Sequence, residues 1–161
     1  MLLRPDRLAR RVYEIPLEEL IAAGIRGLII DLDNTLVGYR QQRPSDEDAA
    51  WVAAALARGL RIVIVSNNVQ GWVSEVAGGL KISFVHKAAK PLPRAFGKAL
   101  QLLGTTRDQT MVVGDQLFTD VLGAKLCGLK VILTEPFGPR EHPAMRLLRF
   151  FERLFLRGRQ V

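Results

Sequence analysis

Short apolar runs alternate with longer stretches of helical periodicity along the chain from residue 27 onward. Each run is rich in hydrophobic and β-branched residues, which is typical of a strand whose two faces are both buried. Strands that alternate with helices indicate βαβ units, so the pattern predicts an α/β fold in which a parallel sheet carries helices on both faces. The predicted strands are 27–31, 61–66, 81–85, 110–115 and 130–134, and the predicted helices lie near 45–58, 70–77, 91–102 and 117–126.

Residues that commonly begin and end helices lie where this pattern requires them. Ser45 precedes the first predicted helix, with Asp48 three residues on, as expected of a helix N-cap. Gly59, Gly104 and Gly128 follow predicted helices, where a left-handed residue often ends the helix. The local signals therefore agree with the hydrophobic pattern.

The length and composition of the chain indicate one globular domain. It has 161 residues, of which 48% are hydrophobic and 24% are charged. This length suits one domain and is short for two. We expect a single domain at 1–161, with its core at about 25–135, a basic N-terminal arm at 1–20 and a basic amphipathic C-terminal helix at about 141–157.

The cellular setting is suggested by three absences from the sequence. The single cysteine, Cys127, cannot form an internal disulfide, and no secretory leader pattern opens the chain. No stretch approaches the roughly 18 consecutive apolar residues that cross a bilayer. We therefore expect a cytoplasmic protein whose contact with a membrane, if it has one, is peripheral and on the inner face.

The net charge of +7 indicates an anionic partner such as nucleic acid, anionic lipid or a phosphorylated substrate. In the predicted C-terminal helix the arginines share one face and the Leu and Phe residues share the adjoining one, an arrangement that can lie on an anionic membrane. Alternatively, its apolar face packs on the sheet or on a partner subunit. The residues concerned are Arg146, Arg149, Arg153 and Arg157 on one face and Leu147, Leu148, Phe151, Leu154 and Phe155 on the other.

Polar side chains follow four of the predicted strands at their carboxyl ends. In an open parallel sheet these ends meet at one edge, where ligands bind. Carboxylates beside a lysine and a serine suit phosphoryl transfer, because carboxylates hold Mg²⁺ and one of them can attack phosphorus to form an acyl phosphate. A second carboxylate two residues on can serve as general acid and then base. The residues are Asp31, Asp33, Asn34 and Thr35, then Ser66, Asn67 and Asn68, then Lys87 and Lys90, and finally Asp115 and Asp120.

These residues carry a resemblance to a known family. The segment DLDNT at 31–35, Ser66 at a strand end, Lys90 within AKP, and GDQLFTD at 114–120 resemble the four ordered motifs of the haloacid dehalogenase (HAD) phosphatase superfamily. The resemblance spans 27–135. The chain is more narrowly similar to the YqeG-type family of subclass IIIA, which is related to phosphatidylglycerophosphate phosphatases. The resemblance implies a Rossmann-like sheet without a cap domain, a HAD-type phosphatase activity and Mg²⁺ as cofactor.

The resemblance also implies a role for each residue of the first motif. Asp31 would be the phosphoryl-accepting nucleophile and a Mg²⁺ ligand. Asp33 would be the general acid and base, with its backbone carbonyl on the metal. Thr35 would position Asp33 and its loop.

The same resemblance implies roles for the residues of the three later motifs. Ser66, Asn67 and Lys90 would bind the substrate phosphate, and Lys90 would also neutralise charge on the nucleophile. Asp115 would bind Mg²⁺. Asp120 would be either a further ligand or a supporting group.

Plainer explanations compete for several of these residues. Ser66 could cap the helix that follows it, and Asp120 could be an ordinary acid in the first turn of a helix. Lys87 competes with Lys90, although a Lys-Pro pair before a helix favours Lys90. We assign no catalytic role to His86, His142 or Cys127, since nothing in the sequence pairs with them.

The spacing of the motifs bears on the substrate. About 30 residues separate the first two strand ends and about 24 separate Ser66 from Lys90, so neither gap holds a cap domain. An open site suits a phosphate on a large carrier, and we expect a lipid-borne phosphate such as phosphatidylglycerophosphate at the membrane surface. Nucleic-acid, protein and small-metabolite phosphates are alternatives, with nucleic acid less favoured.

Two other classes of protein share parts of this pattern. A receiver-type signalling module gathers a similar set of residues, but its acceptor aspartate follows a later strand than its acidic pair. A catalytically weak scaffold could use the basic ends of the chain to bind a partner. The oligomeric state is not predicted.

Overall fold

The computed structural model describes residues 1–38 and 41–137, and these residues form a six-stranded parallel sheet. The strands lie in the order β1-β6-β5-β2-β3-β4, and every neighbouring pair is parallel. This confirms the α/β fold expected from the alternating pattern. The strands are β1 (Arg7–Ala9), β2 (Gly27–Ile30), β3 (Arg61–Val65), β4 (Ser83–Val85), β5 (Thr110–Gly114) and β6 (Lys130–Thr134).

Within the described part of the chain five α-helices lie between the strands, and the four helices predicted there are confirmed with adjusted ends. Ser45 is the N-cap of α2, where its Oγ accepts a hydrogen bond from the Asp48 backbone N–H. The last predicted helix begins as a π-helical turn at Leu117–Val121 and continues as α5. The helices are α1 (Leu17–Ala22), α2 (Asp46–Ala57), α3 (Gln70–Leu80), α4 (Pro93–Leu103) and α5 (Leu122–Leu126).

The helices cover both faces of the sheet, because alternate residues of each strand point to opposite sides. In β2, Leu28 and Ile30 belong to a core shared with α1, α2 and α3. Ile29, between them, belongs to a second core shared with α4 and α5. The continuous apolar runs are thus explained by strands that are buried on two sides.

The N-terminal segment adds elements that the sequence analysis does not predict. Residues 7–9 form the edge strand β1, which pairs with β6, and α1 follows it. Val12 and Ile15 lie in the core, and Trp51 Nε1 donates a hydrogen bond to the Ile15 carbonyl at 2.8 Å. Much of the predicted basic arm is therefore packed onto the domain.

The carboxyl ends of the strands meet at one edge of the sheet. In the part of the chain that the structure describes, the connection from β2 to β3 holds one helix, α2, and the connection from β3 to β4 holds α3. None of the helices in residues 1–38 and 41–137 combines the length and apolar character needed to cross a bilayer. The predicted helix at 141–157 and His142 lie outside the described residues.

Candidate active site

Asp31 and Asp115 lie side by side because they directly follow the central strands β2 and β5. The backbone N–H of Asp31 donates to the Val113 carbonyl at 2.9 Å, which continues the ladder between these strands one step further. Both residues are buried, at 5% and 3% exposure. The sheet therefore fixes the backbone of two acids at its carboxyl edge.

A tight turn after β2 carries Asp31 and Asp33. The N–H groups of Leu36 and Val37 both donate to the Leu32 carbonyl, and the backbone at Asn34 is left-handed, with φ of 60°. Asn tolerates this conformation better than most residues. Because the side chains of Leu32 and Leu36 are fully buried, the core anchors the turn.

Lys90 reaches this edge from the loop after β4. Its Nζ lies 2.5 Å from Asp31 Oδ1 and 2.7 Å from Asp120 Oδ1, and its side chain is 4% exposed. Lys87, the competing candidate, is exposed to solvent. The structure thus places Lys90, and not Lys87, against the predicted nucleophile.

Asp120 lies in the π-helical turn and its two oxygens have different partners. Oδ1 accepts from Lys90 Nζ, and Oδ2 accepts from the Gln116 backbone N–H at 3.2 Å. A methyl group on Gly114 would approach within 2.5 Å of Asp120 Cβ, so a glycine is needed where Asp120 passes over β5. This geometry fits a supporting role for Asp120.

Thr35 lies between the two neighbouring acids. Its Oγ1 is 3.2 Å from Asp31 Oδ2 and 3.0 Å from Asp115 Oδ1, and its one hydroxyl proton can be donated to either. The Thr35 backbone N–H also donates to the Leu32 carbonyl at 3.4 Å, within the turn that carries Asp33. The role of Thr35 in positioning Asp33 stays a prediction.

Ser66 directly follows β3, and its side chain is fully buried. The Ser66 Oγ accepts a hydrogen bond from the Asn68 backbone N–H at 3.1 Å. The hydroxyl therefore shapes the turn that precedes α3, and it keeps its own proton for donation to a ligand. Ser66 does not cap the helix, whose N-cap residue is Val69.

Asn67 and Asn68 turn their side chains toward two other loops. Asn67 Oδ1 accepts from the Lys90 backbone N–H at 2.8 Å, and Asn67 Nδ2 donates to the Lys90 carbonyl at 3.4 Å. The Asn67 side chain therefore joins its turn to the Lys90 backbone, and the predicted phosphate contact of Asn67 stays a prediction. Asn68 Nδ2 donates to Asp33 Oδ2 at 3.1 Å, a contact that the sequence analysis does not foresee.

Burial and like charge shift the ionisation of the acids. Burial raises the pKa of Asp31 to about 7, with Lys90 opposing the shift and Asp115 adding to it. Burial likewise raises the pKa of Asp120 to about 6, and the pKa of Asp33 is raised mainly by burial. Burial alone would lower the pKa of Lys90, but Asp120 and Asp31 outweigh it and raise the pKa above its ordinary value, so Lys90 stays protonated.

The charge balance of the site fits a divalent cation. Asp31, Asp115 and Asp120 are all buried and can each present one carboxylate oxygen within 4.8 Å of the others. Three carboxylates beside the single ammonium of Lys90 leave an excess of two negative charges if all are ionised. Mg²⁺ prefers such hard oxygen ligands, and its charge would favour the ionised carboxylates.

The structure brings the predicted site residues together at one edge of the sheet. Asp31, Thr35, Lys90, Asp115 and Asp120 form one connected set of hydrogen bonds. Asp33 is linked to the turn after β3 through Asn68, and Ser66 lies in that turn. The contact of Asn68 with Asp33 is not among the sequence-based predictions, and the position of Asn68 two residues after Ser66 is the signal that could have indicated it.

The sequence of the chain is similar to those of known hydrolases and phosphatases. The haloacid dehalogenase-like hydrolase family matches residues 37–128. The chain is 34% identical over 152 residues to the "Probable phosphatase YqeG" of Bacillus subtilis, an alignment that covers 94% of this chain and 88% of the relative. It is 30% identical over 151 residues to a phosphoserine phosphatase of Thermus thermophilus, covering 85% of this chain and 60% of the longer relative.

A solved structure shares the fold at lower sequence identity. The putative 3-deoxy-D-manno-octulosonate 8-phosphate phosphatase of Vibrio cholerae superposes with a TM-score of 0.59 at 22% identity. The superposition covers 86% of this chain and 80% of that one. The family match extends over more than half of the sequence, and the YqeG similarity over nearly all of it, so this chain belongs to the haloacid dehalogenase-like hydrolases.

Proposed function

We propose that this hydrolase is a Mg²⁺-dependent phosphomonoesterase that works through an aspartyl-phosphate on Asp31. The observation that carries the proposal is the contact of the Lys90 ammonium with the buried carboxylates of Asp31 and Asp120, beside Asp115. With a divalent cation balancing the carboxylates, the Lys90 ammonium would be available to bind a substrate that carries its own negative charge. The YqeG relative is also named a phosphatase.

The residues present fit a bound Mg²⁺. Asp31 and Asp115 would hold it through their carboxylates, and Asp33 through its backbone carbonyl. When bound, the ion would offset the repulsion between the anionic nucleophile and the anionic phosphate. Asp120, whose oxygens accept hydrogen bonds from Lys90 and from the Gln116 backbone, would support the ammonium.

In the first half of the reaction a carboxylate oxygen of Asp31 attacks phosphorus. The new O–P bond forms an acyl phosphate while the ester O–P bond breaks, and Asp33 gives its proton to the leaving oxygen. Ser66 donates a hydrogen bond to the transferring phosphoryl group, and Lys90 neutralises its charge. Donors that are held in place in this way commonly contribute about 3–4 kcal/mol each to stabilising the transition state.

In the second half Asp33, now ionised, accepts a proton from water. The water oxygen attacks the phosphorus of the acyl phosphate, and the bond to Asp31 breaks. Inorganic phosphate leaves and Asp31 is again a carboxylate. Asp33 ends the cycle protonated and ready for the next ester.

The substrate class we favour is a lipid-borne phosphate such as phosphatidylglycerophosphate, turned over at the inner face of the membrane. In the described residues no cap domain covers the carboxyl edge of the sheet, so a bulky carrier can approach it. Val69 and Leu92, the N-cap residues of α3 and α4, are 57% and 58% exposed close to Asn68 and Lys90 in sequence. The basic amphipathic sequence at 141–157 would add an anionic-lipid contact.

A small phosphorylated metabolite is the second candidate substrate. It is favoured by the similarity to a phosphoserine phosphatase, whose name specifies such a substrate. Nucleic-acid and protein phosphates are the remaining alternatives, and the charge of +7 would attract a polyanion such as nucleic acid.

A phosphate-release screen tests the activity and the substrate together. Purified protein is assayed with Mg²⁺ on lipid, nucleotide, sugar, phosphopeptide and aryl phosphates, with Asp31→Asn and a metal chelator as controls. We expect release that disappears in both controls. Activity that survives Asp31→Asn would remove the nucleophile assignment, and inactivity on every substrate would favour a scaffold.

The membrane placement has its own test. We expect the protein to bind vesicles that contain anionic lipid at physiological salt, and a chain that lacks 140–161 to turn over lipid phosphate more slowly while retaining aryl phosphatase activity. If vesicles are not bound and the deletion leaves lipid turnover unchanged, the lipid placement fails. A steep loss of DNA binding with rising salt would instead support a nucleic-acid partner.

A further inference from the structure

Two consecutive asparagines after β3 form hydrogen bonds to two different loops of the active site. Asn67 contacts the backbone of Lys90, and Asn68 contacts the side chain of Asp33. Asp33 comes from the loop after β2 and Lys90 from the loop after β4. The turn that follows β3 therefore links the loops that leave its two neighbouring strands.

The orientation of each amide follows from its other contacts. The backbone N–H of Val69 donates to Asn68 Oδ1 at 3.0 Å, and only the amide oxygen can accept that proton. The Nδ2 group of Asn68 must then face Asp33. Similarly, Asn67 Oδ1 accepts from the Lys90 N–H, so Nδ2 of Asn67 faces the Lys90 carbonyl.

The backbone of Asn68 is itself fixed from two sides. Its N–H donates to Ser66 Oγ at 3.1 Å, and its carbonyl accepts from the Lys87 N–H at 2.9 Å. A side chain that extends from a backbone held in this way has little freedom to follow Asp33 if that carboxylate rotates. The contact therefore restrains the carboxylate of Asp33, which is only half-buried and lies on a turn.

We infer that Asn68 is a positioning residue that holds Asp33 by Oδ2 and so aims Oδ1 at the leaving oxygen, while Asn67 positions Lys90. The inference rests on the proposed phosphatase reaction, in which Asp33 is the acid and base. Neither asparagine touches the reacting atoms in this assignment. Each acts through the group that it holds.

The two roles have different kinetic signatures. A poor leaving group such as an alkoxide needs the proton from Asp33, whereas a good one such as p-nitrophenolate departs with little help. Loss of Asn68 therefore slows alkyl phosphates more than aryl phosphates. Loss of Asn67 displaces Lys90, whose charge is needed by every phosphoryl group, so both substrates slow together.

The experiment compares kcat/KM for glycerol phosphate and p-nitrophenyl phosphate in four variants. Asn68→Ala removes the amide, and Asn68→Asp keeps its size and its acceptor for the Val69 N–H but cannot donate to Asp33. Asn67→Ala is the matched comparison in the same turn. Gln70→Ala, at the exposed first residue of α3, is the control that leaves both loops in place.

General acid–base catalysis contributes about 10²–10⁴-fold, so we expect both Asn68 variants to lower kcat/KM at least about tenfold more for glycerol phosphate than for p-nitrophenyl phosphate. Asn67→Ala should lower the two values by the same factor. An equal loss on both substrates, or no loss, in an Asn68 variant that folds like the wild type would overturn the inference. Wild-type protein that hydrolyses neither substrate nor any other in the phosphate-release screen would instead overturn the proposed function.

Discussion

Lys90 Nζ lies 2.5 Å from Asp31 Oδ1, and the two side chains are 4% and 6% exposed. The same ammonium lies 2.7 Å from Asp120. A buried ion pair is costly to assemble and costlier to break, because removing one partner leaves the other charged and unpaired in a site of low polarity. Loss of this contact should therefore change both the unfolding free energy of the protein and its catalytic activity.

Replacing Lys90 by Met removes the ammonium while keeping an unbranched chain of similar length. We expect kcat to fall about 10²–10³-fold, the usual loss for a donor that stabilises transition-state charge. The metal-free protein should lose about 3–5 kcal/mol of unfolding free energy, because Asp31 and Asp120 lose their shared cation. Phosphate release and urea unfolding in the presence of chelator measure the two effects.

Lys87→Met is the matched control for that substitution. Lys87 lies three residues away in the same loop and is exposed, so its loss should leave the unfolding free energy within about 0.5 kcal/mol of the wild type. A larger loss of activity on aryl phosphate in Lys87→Met than in Lys90→Met would reverse the assignment of the two lysines.

Asp115→Asn should stabilise the metal-free protein and weaken its response to Mg²⁺. The amide keeps an oxygen for Thr35 but removes one of three crowded negative charges, so we expect a gain of about 1 kcal/mol in chelator. We expect added Mg²⁺ to raise the melting temperature of the wild type by mass action, and the variant to need at least about tenfold more Mg²⁺ for the same rise. Thermal melts across a Mg²⁺ titration measure both effects without substrate.

Asp108→Asn provides the comparison, since this exposed aspartate lies before β5 and away from its carboxyl end. It should alter neither the melt in chelator nor the Mg²⁺ response. If Asp115→Asn behaves in the same way as this control, Asp115 does not hold the metal.

The parts of the fold that sequence predicts best are the strands buried on both faces. Strands β2, β3 and β5 read as continuous apolar runs because each residue that follows their first position is buried. Strand β1 carries no such signal, since it is a three-residue edge strand in which Leu8 is 74% exposed. Its pairing with β6 depends on tertiary contacts that periodicity does not record.

Sequence also identifies the residue types of the site but not all of their partners. Asp31, Ser66 and Asp115 directly follow strands, so the topology alone brings them to one edge. Which way Asn67 and Asn68 turn depends on the conformations of two neighbouring loops. For that reason the sequence could suggest a phosphate contact for Asn67, and only the structure shows its side chain on the Lys90 backbone.

Asp6 should make folding stability depend on pH below about pH 4. Its Oδ2 accepts hydrogen bonds from Lys125 Nζ at 2.6 Å and from the Val131 N–H at 2.7 Å, which joins the start of β1 to β6 and α5. Partial burial raises the pKa of Asp6, but the bonds from Lys125 and Val131 outweigh this and leave it below its ordinary value. Because the folded pKa is lowered, the stabilisation is present above the unfolded pKa of about 3.9 and is lost as the pH falls through the folded pKa.

Asp6→Asn tests this linkage. We expect the variant to be about 1 kcal/mol less stable than the wild type at pH 7, a modest value because Asp6 is partly exposed to solvent. The difference should shrink as the pH is lowered below about 4, where the wild-type carboxyl also becomes neutral. Urea unfolding of both proteins across this range measures it, and a difference that stays constant with pH would exclude the ionised carboxylate as its source.

Gly114→Ala should lower the activity by displacing Asp120, which lies against Gly114 at the end of β5. Strand β5 ends at Gly114, and a Cβ there would lie 2.5 Å from Asp120 Cβ, closer than packed carbon atoms approach. Asp120 must then move and Lys90 loses one of its two carboxylates, so we expect kcat on aryl phosphate to fall at least about tenfold, part of the 10²–10³ that one donor supplies.

Gly97→Ala is the matched control, because Gly97 is exposed within α4 and a Cβ there meets nothing within 4 Å. That substitution should leave kcat unchanged and raise the unfolding free energy by about 1 kcal/mol through helix propensity. Equal kcat in the two alanine variants would show that Lys90 does not depend on the position of Asp120.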